Sequence, residues 1–297
     1  MKKILVAGAT GYLGKYVVAE FKRRGYWVRA LARNPEKLHR KGSYLEPAIG
    51  DIVDDVFIGE VTKPETVHGV CDGIDIVFSS IGITRQKDDM TFMDVDYQGN
   101  KNLLDVAKHS SVEKFVFISV FGAHLLKHME IVKAREMFVE KLEESGLKYT
   151  VIRPTGYFSD MTQFLQMAHS GRVYLLGKGE FHLNPIHGAD LANICVDAIK
   201  RGEPDLSVGG PYVYKHREIA ELAFSTLNKS PKFFRIPSSV INLVLKIIYP
   251  FNKHTHSLLS FLITTMQMDL IAPKTGSHGL AEYFQQYARE KSGIPKL

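Results

Sequence analysis

The chain has 297 residues and a net charge of +6, with 45% hydrophobic and 24% charged residues. That is the balance of a folded globular protein, and it excludes a disordered or fibrous chain. The lysines and arginines are dispersed and form no basic block, so no nucleic-acid partner is expected. Cys71 and Cys195 lie far apart and match no metal-ligand spacing, so no metal is expected.

Residues 3–7 read as an apolar strand that runs straight into Gly8-x-x-Gly11-x-x-Gly14 and then into a helical pattern. A sharp strand-to-helix turn needs a residue without a Cβ, and Gly8 supplies it. Gly11 lets phosphates reach the backbone N–H groups at the helix start, and Gly14 lets the helix pack closely on the strand. The first helical turn, Tyr12 and Leu13, adds partial positive charge and donors, and Thr10 adds a hydroxyl. A strand before and a helix after the glycines predict a dinucleotide site in place of a plain Gly-rich turn. A core strand beginning at Lys3 leaves no room for a secretory leader, and a cytoplasmic protein is expected.

Gly25 ends the first helix, and residues 26–32 form the second strand. An NAD site usually has Asp or Glu at the end of this strand for the ribose hydroxyls. Here Arg33 stands instead, followed by Asn34-Pro35-Glu36-Lys37. A guanidinium there suits a 2′-phosphate, so NADP(H) is expected in preference to NAD, by about ten- to hundredfold. Lys37 and Arg29 are weaker candidates for the same phosphate.

Strands are then predicted over 56–59, 75–80, 115–118 and 149–152, with helices over 63–70, 93–109 and 129–145. Continuous apolar strands alternating with helices imply an α/β protein, a doubly wound parallel sheet covered on both faces. A dinucleotide-binding domain is expected over 1–155. Residues 156–297 are expected to form a smaller substrate-side lobe, interleaved with it. Ser79, Ile81 and Gly82 follow the fourth strand, where the chain passes the cofactor in such folds, and Asn100 is placed to brace that turn. On the 129–145 helix, Ile131, Ala134, Phe138 and Leu142 form one stripe, predicted to pack on the sheet. Lys133 lies nearly opposite, either near the cofactor ribose or as a surface lysine paired with Glu130 or Glu136. His187 reads first as a structural histidine.

The motifs Gly8-x-x-Gly11-x-x-Gly14, Gly59-Glu60-Val61-Thr62, Arg153-Pro154-Thr155 and Ile186-His187-x-x-Asp190-Leu191-Ala192 resemble the atypical short-chain dehydrogenase/reductase superfamily. Lys133-Ala134-Arg135 and Gly156-Tyr157-Phe158 resemble its NmrA-like branch, with divinyl chlorophyllide reductase-like and isoflavone reductase-like members. The resemblance implies a Rossmann sheet with an NADP(H) site that includes Glu60 or the backbone of Val61 at the adenine and Pro154 and Thr155 near the nicotinamide. It implies Tyr157 and Phe158 at the substrate, and Lys133 and Ser119 as catalytic residues. Met129 stands where typical members carry tyrosine, so the lysine becomes the expected acid/base. The implied activity is NADPH-dependent reduction of an apolar carbonyl or conjugated C=C substrate. The alternative is a non-catalytic NADP(H)-sensing regulator or assembly factor, and a nucleotide-sugar epimerase ranks third.

Residues 240–251 and 258–268 are strongly apolar but shorter than the roughly 20 residues of a spanning helix. They read either as helices closing an apolar pocket or as a peripheral membrane or partner contact through 240–268. Residues 285–297 are expected to be a solvated tail, and the protein a monomer or homodimer.

Overall fold

In a computed structural model of the chain, residues 1–83, 90–251 and 253–291 are described. In chain order the elements are β1 (Lys3–Ala7), α1 (Tyr12–Arg23), β2 (Trp27–Ala32), β3 (Asp55–Ile58), β4 (Ile76–Ser79), α2 (Asn100–Lys108), β5 (Lys114–Ile118), α3 (Ala123–Leu126), α4 (Glu130–Glu143) and β6 (Lys148–Pro154). There follow α5 (Phe158–His169), β7 (Val173–Leu176), β8 (His182–Leu183), α6 (Gly188–Lys200), β9 (Asp205–Val208), β10 (Tyr214–Lys215), α7 (His216–Thr226), β11 (Phe233–Ile236), α8 (Ser238–Ile248), α9 (Lys253–Thr265) and α10 (Leu280–Glu290).

Seven strands form one sheet in the order β3-β2-β1-β4-β5-β6-β9. The chain steps outward from β1 to β3, then crosses back to lay β4 on the other side of β1. Ile4 sits opposite Val28 on one side and Ile76 on the other, both pairings parallel. The reversal leaves a crevice at the carboxyl ends of β1 and β4, where open α/β sheets bind ligands. Every residue of β4 and β5 is buried, as a sheet covered on both faces requires. The expected α/β doubly wound fold is the fold observed.

The stripe predicted on α4 faces the core, with Ile131, Ala134, Phe138 and Leu142 all at most 3% exposed. Phe138 packs on Phe117, ring centroids 4.7 Å apart. The helix expected over 63–70 is only one tight turn, Pro64–Thr66. Gly69 and Gly73 both take positive φ just beyond it, which ends any helical run.

The chain divides into two units, Met1–Arg153 with Leu191–Ser207, and Pro154–Asp190 with Val208–Leu297. The second holds two small sheets, β10 with β8 and β11 with β7. In its core the His187 ring stacks on His278 at 4.3 Å and meets Phe158 and Tyr283 edge-on. Burial, with repulsion from His278 added, pushes His187 down to about 4, as suits a neutral structural ring. Asp190 holds His278, Oδ1 to Nδ1 at 2.8 Å, and accepts the backbone N–H groups of Ser277 and His278. The expected tail, 285–297, begins inside α10, where Tyr287 is buried together with Leu280, Tyr283 and Phe284, at the i, i+3, i+4, i+7 spacing of an amphipathic helix. Residues 292–297 lie outside the described ones. Among the described residues no helix is long and apolar enough to cross a membrane.

Candidate functional site

Gly8 leaves β1 with φ +86°, a left-handed conformation that a side chain at this tight turn would oppose. The Gly11 N–H donates back to the Gly8 carbonyl at 2.9 Å and closes the turn. Helix α1 then begins at Tyr12 with no side chain capping it. Its first-turn amides have no acceptor within the helix, and the macrodipole adds positive character there. This end of α1 is built to receive an anion. Gly14 sits so close to the strand that a Cβ on it would stand 2.0 Å from the Gly8 carbonyl oxygen.

Over this turn opens a cleft of roughly 280 Å³. Its walls include Gly8, Thr10 and Gly11 after β1, Ala32 and Arg33 at the end of β2, Glu60 to Thr62 after β3, and Ser80 to Ile83 after β4. Thus the carboxyl ends of four adjacent strands converge on one space.

Arg33 is exposed and faces Glu60 across 3.7 Å. Hydrogen bonding from Lys63, and then from Thr62, holds the Glu60 carboxyl below its usual range. Glu60 is therefore an anion held in place, its own N–H fixed by Thr66 Oγ1 at 2.9 Å. Asn102 Nδ2 donates to the Val61 carbonyl at 2.8 Å and pins the same turn from behind.

The loop after β4 is braced more heavily. Ser79 is fully buried, its hydroxyl donating to Asn100 Oδ1 at 2.6 Å. Asn100 Nδ2 donates in turn to the Ile81 carbonyl at 3.3 Å. The cleft wall is Ser80, the next residue, and Ser79 supports it from below. Asp96, 0% exposed, accepts the Ile83 N–H at 2.9 Å through Oδ2 and the Arg135 guanidinium at 2.8 Å through Oδ1. This buried ion pair fixes the Gly82 and Ile83 wall from the helical side.

The structure therefore brings together Gly8, Thr10, Gly11, Arg33, Glu60, Val61, Ile81 and Gly82. Tyr12, Leu13 and Gly14 shape the turn beneath them. Lys37 is exposed in the short turn Pro35–Lys37 and is not a wall residue. Lys133 is exposed on α4 and also lies outside the wall. Ser119, 1% exposed, donates to Glu136 at 2.7 Å, and Glu136 is gripped by Arg153 at 2.7 and 3.1 Å. Pro154, Thr155, Tyr157 and Phe158 belong to the second unit. There Pro154 is buried at the end of β6, the Thr155 hydroxyl donates to the Asn184 carbonyl at 2.6 Å, half-buried Tyr157 opens α5, and the Phe158 ring is core, 1% exposed.

A glycine turn, an uncapped helix end and a cleft shared by four strand ends fit a dinucleotide. The chain belongs to a family of NAD(P)H-binding domains, whose profile matches residues 8–202. It is 26% identical over 261 residues to the divinyl chlorophyllide a 8-vinyl-reductase of Arabidopsis thaliana, covering 82% of this chain and 62% of that protein. It is 32% identical over 158 residues to the photosystem II assembly factor Ycf39 of Cyanophora paradoxa, covering 53% of this chain and 46% of that one. The chain thus spans about three fifths of the Arabidopsis protein and under half of Ycf39. The NADPH-dependent quinone oxidoreductase of Escherichia coli, solved with NADPH, shares the fold with a TM-score of 0.70 at 16% identity, over 95% of this chain and 99% of that one.

Proposed function

We propose that this protein is an NADPH-dependent reductase of an apolar carbonyl or conjugated C=C substrate. The observation that carries the reading is the second-strand edge of the cleft, where Ala32 and Arg33 stand and no acid does. A cleft of this kind receives a phosphorylated ribose better than a free diol. The reductive chemistry is supported by the divinyl chlorophyllide reductases, whose name describes reduction of a vinyl group. The nicotinamide supplies hydride when bound, and the protein contributes orientation and a proton.

Within this reading Lys133 is the proton donor. Its ammonium is exposed, and among the described residues it makes no ion pair, unlike Lys141 on the same helix, which is paired with Glu144. The core stripe behind it fixes α4, so the lysine is presented from a rigid element. Ser119 already donates to Glu136, and its role here is to hold that carboxylate under Arg153.

Two outcomes are expected. In single-turnover NADPH oxidation across a panel of quinones, enones and vinyl-substituted aromatics, Lys133→Ala lowers the rate about a hundredfold, the usual scale of general-acid loss. Binding measured by NADPH fluorescence changes far less. Arg33→Ala weakens NADPH about ten- to hundredfold and leaves NADH within about threefold, as one charge-assisted contact predicts. An equal loss for both nucleotides would refute the NADP preference.

A second reading, a non-catalytic NADP(H) sensor or assembly factor, is favoured by Met129 in the position of the usual tyrosine and by similarity to Ycf39. Tight cofactor binding with no turnover on the whole panel would select it.

A further inference from the structure

Helix α8 has two apolar faces. On the inner one, Ile241 is 6% exposed, Leu245 and Ile248 are half-buried, and the helix packs on α9. On the other, Val240, Leu243, Val244 and Ile247 are 44–58% exposed at i, i+3, i+4, i+7 spacing, and Phe251 beyond the helix end is 85% exposed. The first face carries the helix's packing on α9, and among the described residues the second is left exposed. A run of large apolar side chains at one helical spacing differs from scattered surface leucines and marks a contact surface. Tyr249, just past the helix end, is 54% exposed, and on β11, the strand that precedes α8, Phe234 forms an exposed pair with Tyr174 at 5.7 Å.

Along the segment that carries this face the carboxylate and ammonium charge is of one sign. Between residues 222 and 268 the sequence has no Asp or Glu, although acids make up 32 of the 297 residues overall. The same segment carries Lys229, Lys232, Arg235, Lys246 and Lys253. Lys232, Arg235 and Lys246 are exposed, and none is in an ion pair among the described residues. Lys229 donates to the His169 carbonyl and is in no ion pair among the described residues. A segment without acids that carries exposed cations and exposes bulky apolar and aromatic side chains complements a bilayer with anionic headgroups. The aromatic rings match the headgroup level, and the aliphatic stripe matches the acyl boundary.

We propose that α8 and its basic flank dock the protein peripherally on an anionic lipid surface. The helix lies in the interface plane with Leu243 and Ile247 inward.

The test uses the whole 297-residue chain without cofactor or substrate, so it stands apart from the reductase reading. In co-sedimentation with vesicles of phosphatidylcholine and phosphatidylglycerol in equal parts, the protein is expected to bind, and about tenfold more weakly to pure phosphatidylcholine or at high salt. The double variant Leu243→Glu/Ile247→Glu is expected to lose at least tenfold in binding to the anionic vesicles, with an unchanged circular-dichroism melt because both positions are already exposed. Phe251→Trp provides a second readout, a blue shift of emission on adding the same vesicles. No sedimentation with anionic vesicles would overturn the proposal, as would binding that the double variant leaves intact. A dimer in light scattering that the same variant turns into a monomer, with no vesicle binding, would instead make this face a contact between two copies.

Discussion

Arg135→Met is expected to lower the unfolding free energy by about 3–5 kcal/mol, the usual cost of removing one partner of a buried ion pair. Asp96 has no exposed surface and Arg135 is 8% exposed. Burial pushes the Asp96 carboxyl up, and Arg135 opposes that shift. Without the guanidinium, Asp96 must either stay charged in a dry interior or take up a proton, and both destabilise the fold. The same residue carries the Ile83 N–H, so the loop after β4 loosens with it. The guanidinium also lies against Gly82, where an added Cβ would stand 2.3 Å from Nη2. Cofactor affinity should therefore fall along with stability. Denaturant unfolding of Arg135→Met, Asp96→Leu and the double variant checks this. The double variant should recover most of the loss, since replacing both partners with apolar groups removes the uncompensated charge. A single-variant loss below about 1 kcal/mol would show that water reaches the pair.

Gly14→Ala is the second large effect. Its Cβ would stand 2.0 Å from the Gly8 carbonyl oxygen and 2.7 Å from the carbonyl carbon. These are backbone atoms, which have no rotamer to yield with, so α1 must move away from β1. Overpacking costs about 1–3 kcal/mol and occasionally more, and a backbone clash of this size belongs at the upper end. The displaced element carries the uncapped helix end, so NADPH affinity should fall more than a hundredfold even at temperatures where the variant stays folded. Isothermal titration beside a thermal melt separates the two losses. A variant that binds NADPH normally would show that the helix can tilt without moving its first turn.

How much of this site could be read from the sequence depends on how local each determinant is. The turn at Gly8, Gly11 and Gly14 is encoded within seven residues and read directly. The core stripe of α4 follows from one helical period. Ser79 against Ser80 shows the limit of such reading. Successive strand residues point to opposite faces, so a one-residue difference in where β4 ends decides which hydroxyl meets the cleft. The pairing of Asp96 with Arg135 was invisible because the two meet only through the packing of separate helical segments. Asp96 lies in a wide π-helical turn, Met93–Gly99, where the 3.6-residue period used to assign faces fails. The carboxyl-terminal helix, by contrast, was legible and misread. Leu280, Tyr283, Phe284 and Tyr287 carry its amphipathic spacing, but from residue 285 on Tyr287 is the only one of the four left, among polar residues that read as a tail.

The last strand of the large sheet comes from residues 205–208, after the chain has left the first unit and returned to it. Thr150 Oγ1 donates to the Glu203 carbonyl and the Val151 N–H to the Pro204 carbonyl. The buried Lys114 ammonium caps the carbonyls of Ala198, Ile199 and Arg201. A chain cut after Arg153 would strand all of these groups and leave β6 as a raw edge open to pairing with another molecule. On the ribosome, the nucleotide-holding half therefore closes only after about fifty further residues have been made. Until then the nascent protein carries an unfinished sheet, and the segment between its two visits must fold as an insertion within it.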